Sequence, residues 1–294
     1  MPKITKAVIA AGGWSTRFLP AVKVYAKQLV PILDKPQIQL VMEELVGAGI
    51  TDFCIVHREG ENTLKQFFTP NPELDAYLKE TGKESAMDSF RQLMSRIKSI
   101  QFLPQTKAFP YGNGSPILVA ESFIGADPFV YLYADDLVVE DQPGAYISSL
   151  IQTFTQTQAS AVCAAKKVAH EQIRALSSVK FKADSSVKNQ IDSVIEKPDP
   201  AVAPSDVCIW GRFILSPEII SILKNTPVER GELWLTDAIN HLAQAKTVIA
   251  QSLPNGSDWI TTGDPLNWLK ANLTLALKDD RYSQAIKDII STYP

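Results

Sequence analysis

The sequence is poor in cysteine and histidine, and this scarcity excludes several classes of protein. It holds three cysteines and three histidines among 294 residues. Cys54, Cys163 and Cys208 lie far apart, each within an apolar run. We therefore expect buried thiols rather than a disulfide framework or a cysteine zinc site. No two histidines are four residues apart, so a helical zinc site that pairs them is not expected either.

An excess of basic charge and a long apolar run are also missing. The 29 Lys and Arg residues nearly balance the 32 Asp and Glu residues, for a net charge of -3. This balance predicts neither nucleic acid nor an anionic membrane as a partner. No apolar run approaches the roughly 20 residues of a membrane-spanning helix, and the N-terminal residues lack the profile of a secretory signal. The sequence therefore predicts a cytoplasmic protein.

Short apolar runs alternate with amphipathic segments along the first half of the chain. Strands are predicted at 4–10, 52–57, 100–104 and 128–134, and apolar residues at helical spacing predict a helix over 36–48. Continuous apolar strands separated by helices are typical of a parallel sheet covered on both faces. We therefore predict an α/β fold with a Rossmann-like, mostly parallel but mixed sheet flanked by helices.

The remaining segments predict one domain over 1–294. A polar stretch at about 62–99 is longer than a crossover requires and predicts an inserted helical pair. Further strands are predicted at 159–165, 179–182, 191–196 and 207–215, and further helices at 217–223, 233–243, 265–277 and 280–290, the last two within a C-terminal helical region of about 265–294. No segment has the composition of a linker between domains.

The first predicted strand leads into the segment A-G-G-W-S-T-R, residues 11–17. Gly12 and Gly13 allow the backbone to approach a ligand, and successive free N–H groups can surround phosphate oxygens. Arg17 and Lys27 would add positive charge there. The segment matches neither the Walker loop nor G-x-G-x-x-G. Taken alone, it is either a phosphate-binding loop or a solvated turn.

Residues 11–36 resemble the opening signature of the sugar-1-phosphate nucleotidyltransferases, G-x-G-T-R-x-x-P-x-T-K followed by K-x-x-x-P-x-x-x-K-P. Further segments resemble the family in the same order along the chain. They are Gln105, G-N-G at 112–114, D-D at 135–136, E-K-P at 196–198, G-R-F-I-L at 211–215, G-E with L-T-D-A-I at 231–239, and L-K-A-N at 269–272. The resemblance covers nearly the whole chain and implies the nucleotidyltransferase fold.

Within that family, the polar insert and the G-R-F-I-L and L-K-A-N segments favour the bacterial UTP–glucose-1-phosphate uridylyltransferases. The resemblance then implies transfer of a uridylyl group from UTP to glucose 1-phosphate, with Mg²⁺ as cofactor and pyrophosphate as the second product. It also implies a homo-oligomer. Two alternatives stay open: a degenerate member that binds nucleotide or sugar phosphate without turnover, and a thymidylyltransferase-type enzyme that uses dTTP and shares K-Q-L at 27–29.

The same resemblance assigns roles to individual residues. It implies Arg17, Lys27 and Asp135 for catalysis, Asp135 also for the metal, Ala11, Gly12, Gly13, Gln105 and Gly112 for the nucleotide, and Glu196, Lys197 and Glu232 for the sugar phosphate. Each position also has a structural interpretation. Asp135 could cap a turn, Glu196 and Lys197 could form a surface pair of small energy, and Gln105 and Gly112 could be ordinary loop residues.

Three residues depart from the family pattern. Ser15 replaces the second glycine of the loop, and Val22 replaces the threonine before the lysine. Thr261 stands in W-I-T-T-G where the family tends to place a second magnesium aspartate. A neutral hydroxyl binds Mg²⁺ more weakly than a carboxylate. Asp258 and Asp264 flank Thr261, and either is a candidate for the missing charge.

Overall fold

The computed structural model describes residues 3–292. Its strands, in chain order, are β1 (Lys6–Ala11), β2 (Pro31–Ile32), β3 (Lys35–Pro36), β4 (Asp52–Arg58), β5 (Ser99–Gln105), β6 (Phe129–Tyr133), β7 (Asp136–Val139), β8 (Ala161–Lys167), β9 (Ser177–Phe181), β10 (Ile191–Glu196), β11 (Val207–Leu215), β12 (Val248–Ser252) and β13 (Asp258–Thr261). Its helices are α1 (Gln37–Gly47), α2 (Thr63–Phe68), α3 (Pro72–Glu80), α4 (Asp88–Ser95), α5 (Ser115–Val119), α6 (Glu121–Ile124), α7 (Ala145–Thr157), α8 (Glu218–Asn225), α9 (Leu235–Ala245), α10 (Pro265–Lys278) and α11 (Ser283–Thr292).

Nine of these strands form one mixed sheet to which both halves of the chain contribute. The strand order is β10-β9-β11-β6-β1-β4-β5, with β8 and then β12 attached to β11. The strands β6, β1, β4 and β5 are parallel to one another. Strand β11 runs antiparallel to β6, β8 and β9. The first half therefore supplies the parallel part of the sheet that the sequence predicts, and the second half supplies most of the antiparallel part.

Alternate residues of the central strands face two separate hydrophobic layers. In β1, Ala7 and Ile9 pack into one layer with α1 and α7, whereas Val8 packs into the other with α5, α8 and α9. In β4, Ile55 and Val56 divide in the same way. Successive side chains of a strand point to opposite faces, so the continuous apolar runs arise because both faces are covered by helices.

Two regions differ from the sequence-based expectation. The segment at 62–99 folds into three α-helices and a short 3₁₀ turn rather than a helical pair. The break between α2 and α3 follows from local chemistry, since Asn71 accepts a hydrogen bond from the Leu74 amide and Pro72 occupies the first helical position. Strands β7 and β12 were not expected; β7 pairs with β13 directly after the Asp135 turn.

A buried ion pair connects helix α1 to the middle of the sheet. The fully buried Arg212 of β11 donates from Nε and Nη2 to the two carboxylate oxygens of Glu44, at 3.1 and 2.5 Å. Its Nη2 also donates to the Asp136 carbonyl oxygen at 2.9 Å. From the start of the same helix, Gln37 donates to the Ala134 carbonyl at 2.6 Å. Helix α1 therefore holds the turn at residues 134–136 through two buried side chains.

The described residues bear on two sequence-based predictions, the lack of a membrane-spanning helix and the lack of disulfides. None of the helices within 3–292 combines the length and the apolar character that a bilayer crossing requires. The three cysteines are unpaired and buried. Burial in the apolar layers raises the pKa of the Cys54 thiol to about 12, so this thiol is protonated at neutral pH.

We expect Arg212→Met to cost about 3–5 kcal/mol of unfolding free energy, because Glu44 would remain buried without a partner. The double variant Arg212→Met/Glu44→Leu should lose less than the sum of the two single losses, since it leaves no buried charge. Urea unfolding measures these differences. The exposed pair formed by Lys224 and Glu121 is the matched control, and Lys224→Met should cost under about 1 kcal/mol. Additive losses at the buried pair would contradict the expectation.

Candidate active site

The parallel strands bring distant segments of the chain to one edge of the sheet. Strand β1 ends beside Gly12, β4 ends at Arg58, β5 ends at Gln105, and β6 ends just before Asp135. Neighbouring parallel strands end at the same edge, and open α/β sheets bind ligands outside that edge. The glycine segment, Gln105, which is predicted to contact the nucleotide, and Asp135, which is predicted to hold the metal, therefore meet, although about 90 residues separate the glycine segment from Gln105.

Two cavities adjoin at this edge. The first, called the glycine-loop cavity, has a volume of about 690 Å³, and its lining includes Gly12, Gly13, Lys27, Gln105 and Gly112. The second, called the Glu196 cavity, has a volume of about 510 Å³, and its lining includes Arg17, Glu196, Lys197, Trp234 and Thr261. Asn113, Tyr133 and Asp135 line both cavities. A ligand in one cavity and a ligand in the other would thus approach each other at Asp135.

Asp135 is held from several sides at this junction. Lys27 Nζ donates to Asp135 Oδ2 at 2.5 Å. The Thr262 amide and hydroxyl both donate to the Asp135 carbonyl oxygen, at 2.7 and 2.9 Å. A Cβ atom on Gly263 would lie 3.3 Å from Asp135 Oδ2 and from Arg17 Nη2, and 3.4 Å from Thr261 Oγ1. The carboxylate, the guanidinium and the hydroxyl therefore all face the space beside Gly263.

The structure separates the two carboxylates that flank Thr261. Asp264 lines the Glu196 cavity, lies 3.9 Å from Arg17 Nη1, and caps α10 by accepting the Asn267 amide at 3.0 Å. This amide bond is the main reason that the pKa of Asp264 is lowered. Asp258 instead pairs with Lys166 and lines neither cavity. Asp258 and Thr261 are the first and last residues of β13, so Asp258 lies one strand length away from the Thr261 hydroxyl. The geometry therefore gives no support to Asp258 as the source of the missing charge.

Asp136 lies directly beneath this site and is not solvated like Asp135. Its side chain is buried, and a Cβ atom on Gly211 would collide with its Oδ2 atom. Burial, and then the neighbouring Asp135 charge, raise the pKa of Asp136 to about 7, against the opposing effect of Arg212. Glycine at 211 therefore leaves the room that this carboxyl group occupies.

In the Glu196 cavity, the side chains of Glu196, Ser177 and Thr236 are hydrogen-bonded to one another. Glu196 Oε2 accepts hydrogen bonds from Ser177 Oγ at 2.5 Å and from Thr236 Oγ1 at 2.6 Å. Lys197 Nζ lies 3.6 Å from Glu196 Oε1 and 4.4 Å from the centroid of the Trp234 ring. The backbone of Lys197 has φ of 46°, which is strained for a residue with a Cβ. Strained backbone conformations cluster at functional sites, and the positively charged ammonium of a cavity-lining lysine is suited to binding an anion.

Close contacts explain why Gly12 and Gly112 are glycines. A Cβ atom on Gly12 would lie 3.0 Å from Gln105 Oε1, so glycine lets that side chain lie against the loop. Gly112 has φ of 133°, and a Cβ atom there would collide with the Leu233 backbone. The Leu233 amide donates to the Tyr111 carbonyl at 2.7 Å, which holds the two segments together. Gly112 is thus required for packing, whatever else its backbone contacts.

Three predicted positions lie elsewhere than expected. Ala11 packs into the core, and Ala10 lines the glycine-loop cavity in its place, because side chains alternate along β1. Glu232 was expected beside the sugar phosphate but lines the glycine-loop cavity, since the bond from Leu233 to Tyr111 places it there. Arg17 was expected at the triphosphate but lines the Glu196 cavity.

Other lining residues were missed by the sequence analysis. Tyr133 lies in a strand predicted to be buried, so no ligand contact was expected of it. Asn113 lies between Gly112 and Gly114, and of these three residues only Gly112 was predicted to contact the nucleotide. Trp234 precedes α9, and Arg58 is the last residue of β4, directly after the strand predicted at 52–57. A charged residue immediately after the predicted strand at 52–57 was the available signal for Arg58 alone, because parallel strands end at one edge.

The described residues contain no group of three or more His, Cys, Asp or Glu that could hold a metal ion. One carboxylate and one hydroxyl, from Asp135 and Thr261, nevertheless face the space beside Gly263. Mg²⁺ is commonly held through one or two carboxylates together with substrate phosphates. The residues present therefore fit Mg²⁺ if a nucleotide supplies the remaining oxygen ligands.

Comparisons with known proteins agree with this arrangement. A family model described as nucleotidyl transferase matches residues 6–278. The chain belongs to the nucleotidyl transferase family. The UTP–glucose-1-phosphate uridylyltransferase 2 of Streptococcus pyogenes serotype M3 is 35% identical over 298 residues, which cover 100% of this chain and 96% of that protein.

Two proteins of solved structure share the fold of this nucleotidyl transferase. A UTP-bound UGPase from Acinetobacter baumannii superposes with a TM-score of 0.86 at 29% identity, covering 99% of this chain and 100% of that one. A UDP-glucose pyrophosphorylase complexed with UDP-glucose superposes with a TM-score of 0.81 at 28% identity, covering 94% and 100%. The predicted α/β fold with a mostly parallel, mixed sheet is confirmed.

The raised pKa of Asp136 predicts how the stability of this nucleotidyl transferase depends on pH. Below about pH 4, the Asp136 carboxyl is protonated whether the chain is folded or unfolded. Between about pH 4 and 7, it ionises only in the unfolded chain, so the folded state binds more protons and loses stability as pH rises. Relative to Asp136→Asn, the parent should thus become less stable by a few kcal/mol between pH 4 and pH 8.

Urea unfolding of the parent and Asp136→Asn at several pH values measures this difference. The exposed Asp184 provides the matched control, since Asp184→Asn should follow the parent across the range. A constant difference between the parent and Asp136→Asn would show that Asp136 ionises normally in the folded protein.

Proposed function

We propose that this nucleotidyl transferase transfers a uridylyl group from UTP to glucose 1-phosphate and releases UDP-glucose and pyrophosphate. The observation that carries the proposal is the meeting of two adjoining cavities at Asp135 and Lys27. One cavity contains the glycine segment, and the other contains Lys197 and Glu196. The full-length similarity to a uridylyltransferase, and the UTP and UDP-glucose named for the two relatives of solved structure, support these substrates.

The reaction requires positioning and charge neutralisation rather than a covalent intermediate on the protein. A phosphate oxygen of glucose 1-phosphate attacks the α-phosphorus of UTP, the bond to the bridging oxygen of the β-phosphate breaks, and pyrophosphate leaves with that electron pair. Negative charge spreads over the phosphoryl oxygens during this exchange. Lys27 and Arg17, which face the cavity junction from two sides, would hold the reacting groups in line and stabilise that charge.

Mg²⁺ belongs to this proposal as the cofactor. Asp135 and Thr261 would hold it, and when bound it would neutralise charge on the phosphate oxygens. Lys27 already contacts Asp135 Oδ2, so part of the charge of that carboxylate is neutralised before a metal binds. The triphosphate would therefore bring most of the oxygen ligands.

The Glu196 cavity would receive the acceptor. The Lys197 ammonium would contact the phosphate of glucose 1-phosphate, and Glu196 has one carboxylate oxygen, Oε1, that Ser177 and Thr236 leave free for sugar hydroxyls. Trp234 would support the Lys197 side chain through the cation–π contact. Across the junction, Gln105 and the backbone near Gly112 would contact the pyrimidine.

A binder without turnover is the second candidate, and Thr261 in place of a carboxylate is the observation that favours it. A panel of UTP, dTTP and other nucleoside triphosphates against several sugar 1-phosphates, scored by pyrophosphate release, separates the candidates. We expect release with UTP and glucose 1-phosphate at a rate well above every other pair. Preference for dTTP would favour the thymidylyltransferase alternative, and nucleotide binding without release would favour the binder.

The homo-oligomeric state and the cytoplasmic location expected from the sequence stay parts of this proposal. Support for an oligomer comes from helix α10, where the exposed Leu266, Leu269, Leu273 and Leu277 follow helical spacing and form an apolar stripe. A second copy of the chain could cover this stripe. Sedimentation velocity measures the state, and a monomer at micromolar concentration would rule out the oligomer.

Lys197→Ala should weaken the use of glucose 1-phosphate far more than the binding of UTP. One charge-assisted contact to phosphate is lost, so we expect roughly a ten- to hundredfold fall in kcat/KM for the acceptor. Initial rates at varied acceptor concentration, together with calorimetric titration of UTP, measure both quantities. Lys180, an exposed lysine outside both cavities, provides the matched variant Lys180→Ala. Unchanged saturation by glucose 1-phosphate would remove Lys197 from the acceptor site.

Thr261→Asp should lower the Mg²⁺ concentration needed for half-maximal turnover by about tenfold, because it adds a carboxylate beside Asp135. Magnesium titrations of the initial rate measure the midpoint. Asp264→Asn retains the helix cap, since asparagine also caps helices, and tests the competing source of charge. Asp258→Asn is the control outside the cavities. An unchanged midpoint in Thr261→Asp, with a large shift in Asp264→Asn, would assign the missing charge to Asp264.

A further inference from the structure

One wall of the glycine-loop cavity has no part in the roles given above. Trp14 and Tyr111 are the two most exposed aromatic side chains among residues 3–292, with 65% and 58% of their surface accessible. Both line this cavity. The described tyrosines and tryptophans elsewhere are more buried than these two. Exposing an indole to water forgoes the stability that its burial would give, so Trp14 at this place points to a ligand that covers it.

Trp14 does not stand alone in the cavity. The Arg58 guanidinium carbon lies 4.3 Å from the centroid of the Trp14 ring, which is a cation–π contact. Arg58 is the last residue of β4 and is paired in register with Gln105, the last residue of β5. Two strand ends and the glycine segment therefore hold this pair. One face of the indole receives Arg58, and the ring still keeps 65% of its surface accessible.

The position of the pair within the cavity indicates which part of a nucleotide it would meet. At the junction with the Glu196 cavity, Lys27 pairs with Asp135, and the Arg17 guanidinium faces the same space beside Gly263 as the Asp135 carboxylate. Arg58 instead lies beside Gln105, and a Cβ atom on Gly12 would lie 3.0 Å from Gln105 Oε1 and 3.8 Å from the Arg58 amide nitrogen. The pair is thus on the side of the predicted base reader, and a planar base is the part of a nucleotide that stacks on an aromatic ring.

We propose that Trp14 stacks on the uridine part of the nucleotide and that Arg58 is a positioning residue that fixes the indole for this contact. The inference rests on the proposed use of UTP and adds a residue that sets nucleotide affinity. Because Trp14 is a large exposed side chain on a loop, it would lose mobility when Arg58 covers one face. A preorganised ring binds a base at lower cost in entropy than a mobile one.

Calorimetric titration of UTP and of UMP into the intact chain, with no acceptor present, tests the contact. We expect Trp14→Leu to weaken both nucleotides by about tenfold, since the loss is in the uridine contact that they share. Trp14→Phe should retain most of the affinity, because a flat ring remains. Tyr77→Leu is the matched control: Tyr77 is also exposed, at 54%, but lies on α3 and lines neither cavity.

Arg58 is tested by its coupling to Trp14. Arg58→Ala should weaken UTP and UMP by equal factors of about three, and Arg58→Lys should weaken them less. The double variant Trp14→Leu/Arg58→Ala should be no weaker than Trp14→Leu alone, since a positioning residue has no effect once the ring is gone. In turnover assays, Trp14→Leu should raise KM for UTP about tenfold and leave kcat within twofold.

Several results would overturn the inference, and they differ from failure of the proposed function. Parent-like affinity in Trp14→Leu, or equal losses in the Leu and Phe variants, would exclude stacking. A loss in Arg58→Ala confined to UTP would place Arg58 on the β- and γ-phosphates, which UMP lacks, and remove its positioning role. Thermal unfolding midpoints close to the parent's are required of each variant. If the parent itself bound no uridine nucleotide, the proposed function would fail first.

Discussion

The buried ion pair between Glu44 and Arg212 is the interaction on which the site depends. It joins the first long helix to the antiparallel strand in the middle of the sheet, and the same guanidinium holds the Asp136 carbonyl. Two charges in an apolar interior are costly unless each is well paired. Because Arg212 also holds the Asp136 carbonyl, the ion pair positions the turn that follows β6, and this turn places Asp135 at the junction of the two cavities.

Three glycines allow close contacts that a larger residue would prevent around the two cavities. Gly211 makes space for the buried Asp136 carboxyl, Gly12 for the Gln105 amide, and Gly112 for the Leu233 backbone. Asp135 lines both cavities, and Lys27 contacts it from the glycine-loop cavity. The proposed binding of two phosphorylated substrates at adjacent positions would thus depend on how tightly the loops pack.

Cations in the cleft are held before any substrate arrives. Lys27 rests on Asp135, Lys197 on Trp234 and Glu196, and Arg58 on Trp14. A positioned charge stabilises developing negative charge without first paying for reorganisation. One carboxylate, from Asp135, and one threonine hydroxyl, from Thr261, face the space beside Gly263, so the proposed Mg²⁺ would depend on the bound nucleotide for most of its ligands.

The fold, the segments that carry the site, and most of the strands and helices can be predicted from the sequence; β7, β12 and the third helix of the 62–99 segment cannot. The predictable features follow from periodicity and from motifs that are contiguous along the chain, such as residues 11–17 and 196–198. Other features emerge only in the folded chain: Glu232 lines the glycine-loop cavity, Arg17 lines the Glu196 cavity, Asp258 lies outside both cavities, and Arg58 covers Trp14. The physical reason is that register between distant strands, and the direction of each side chain at the sheet edge, are set by long-range packing, which spacing along the chain does not encode.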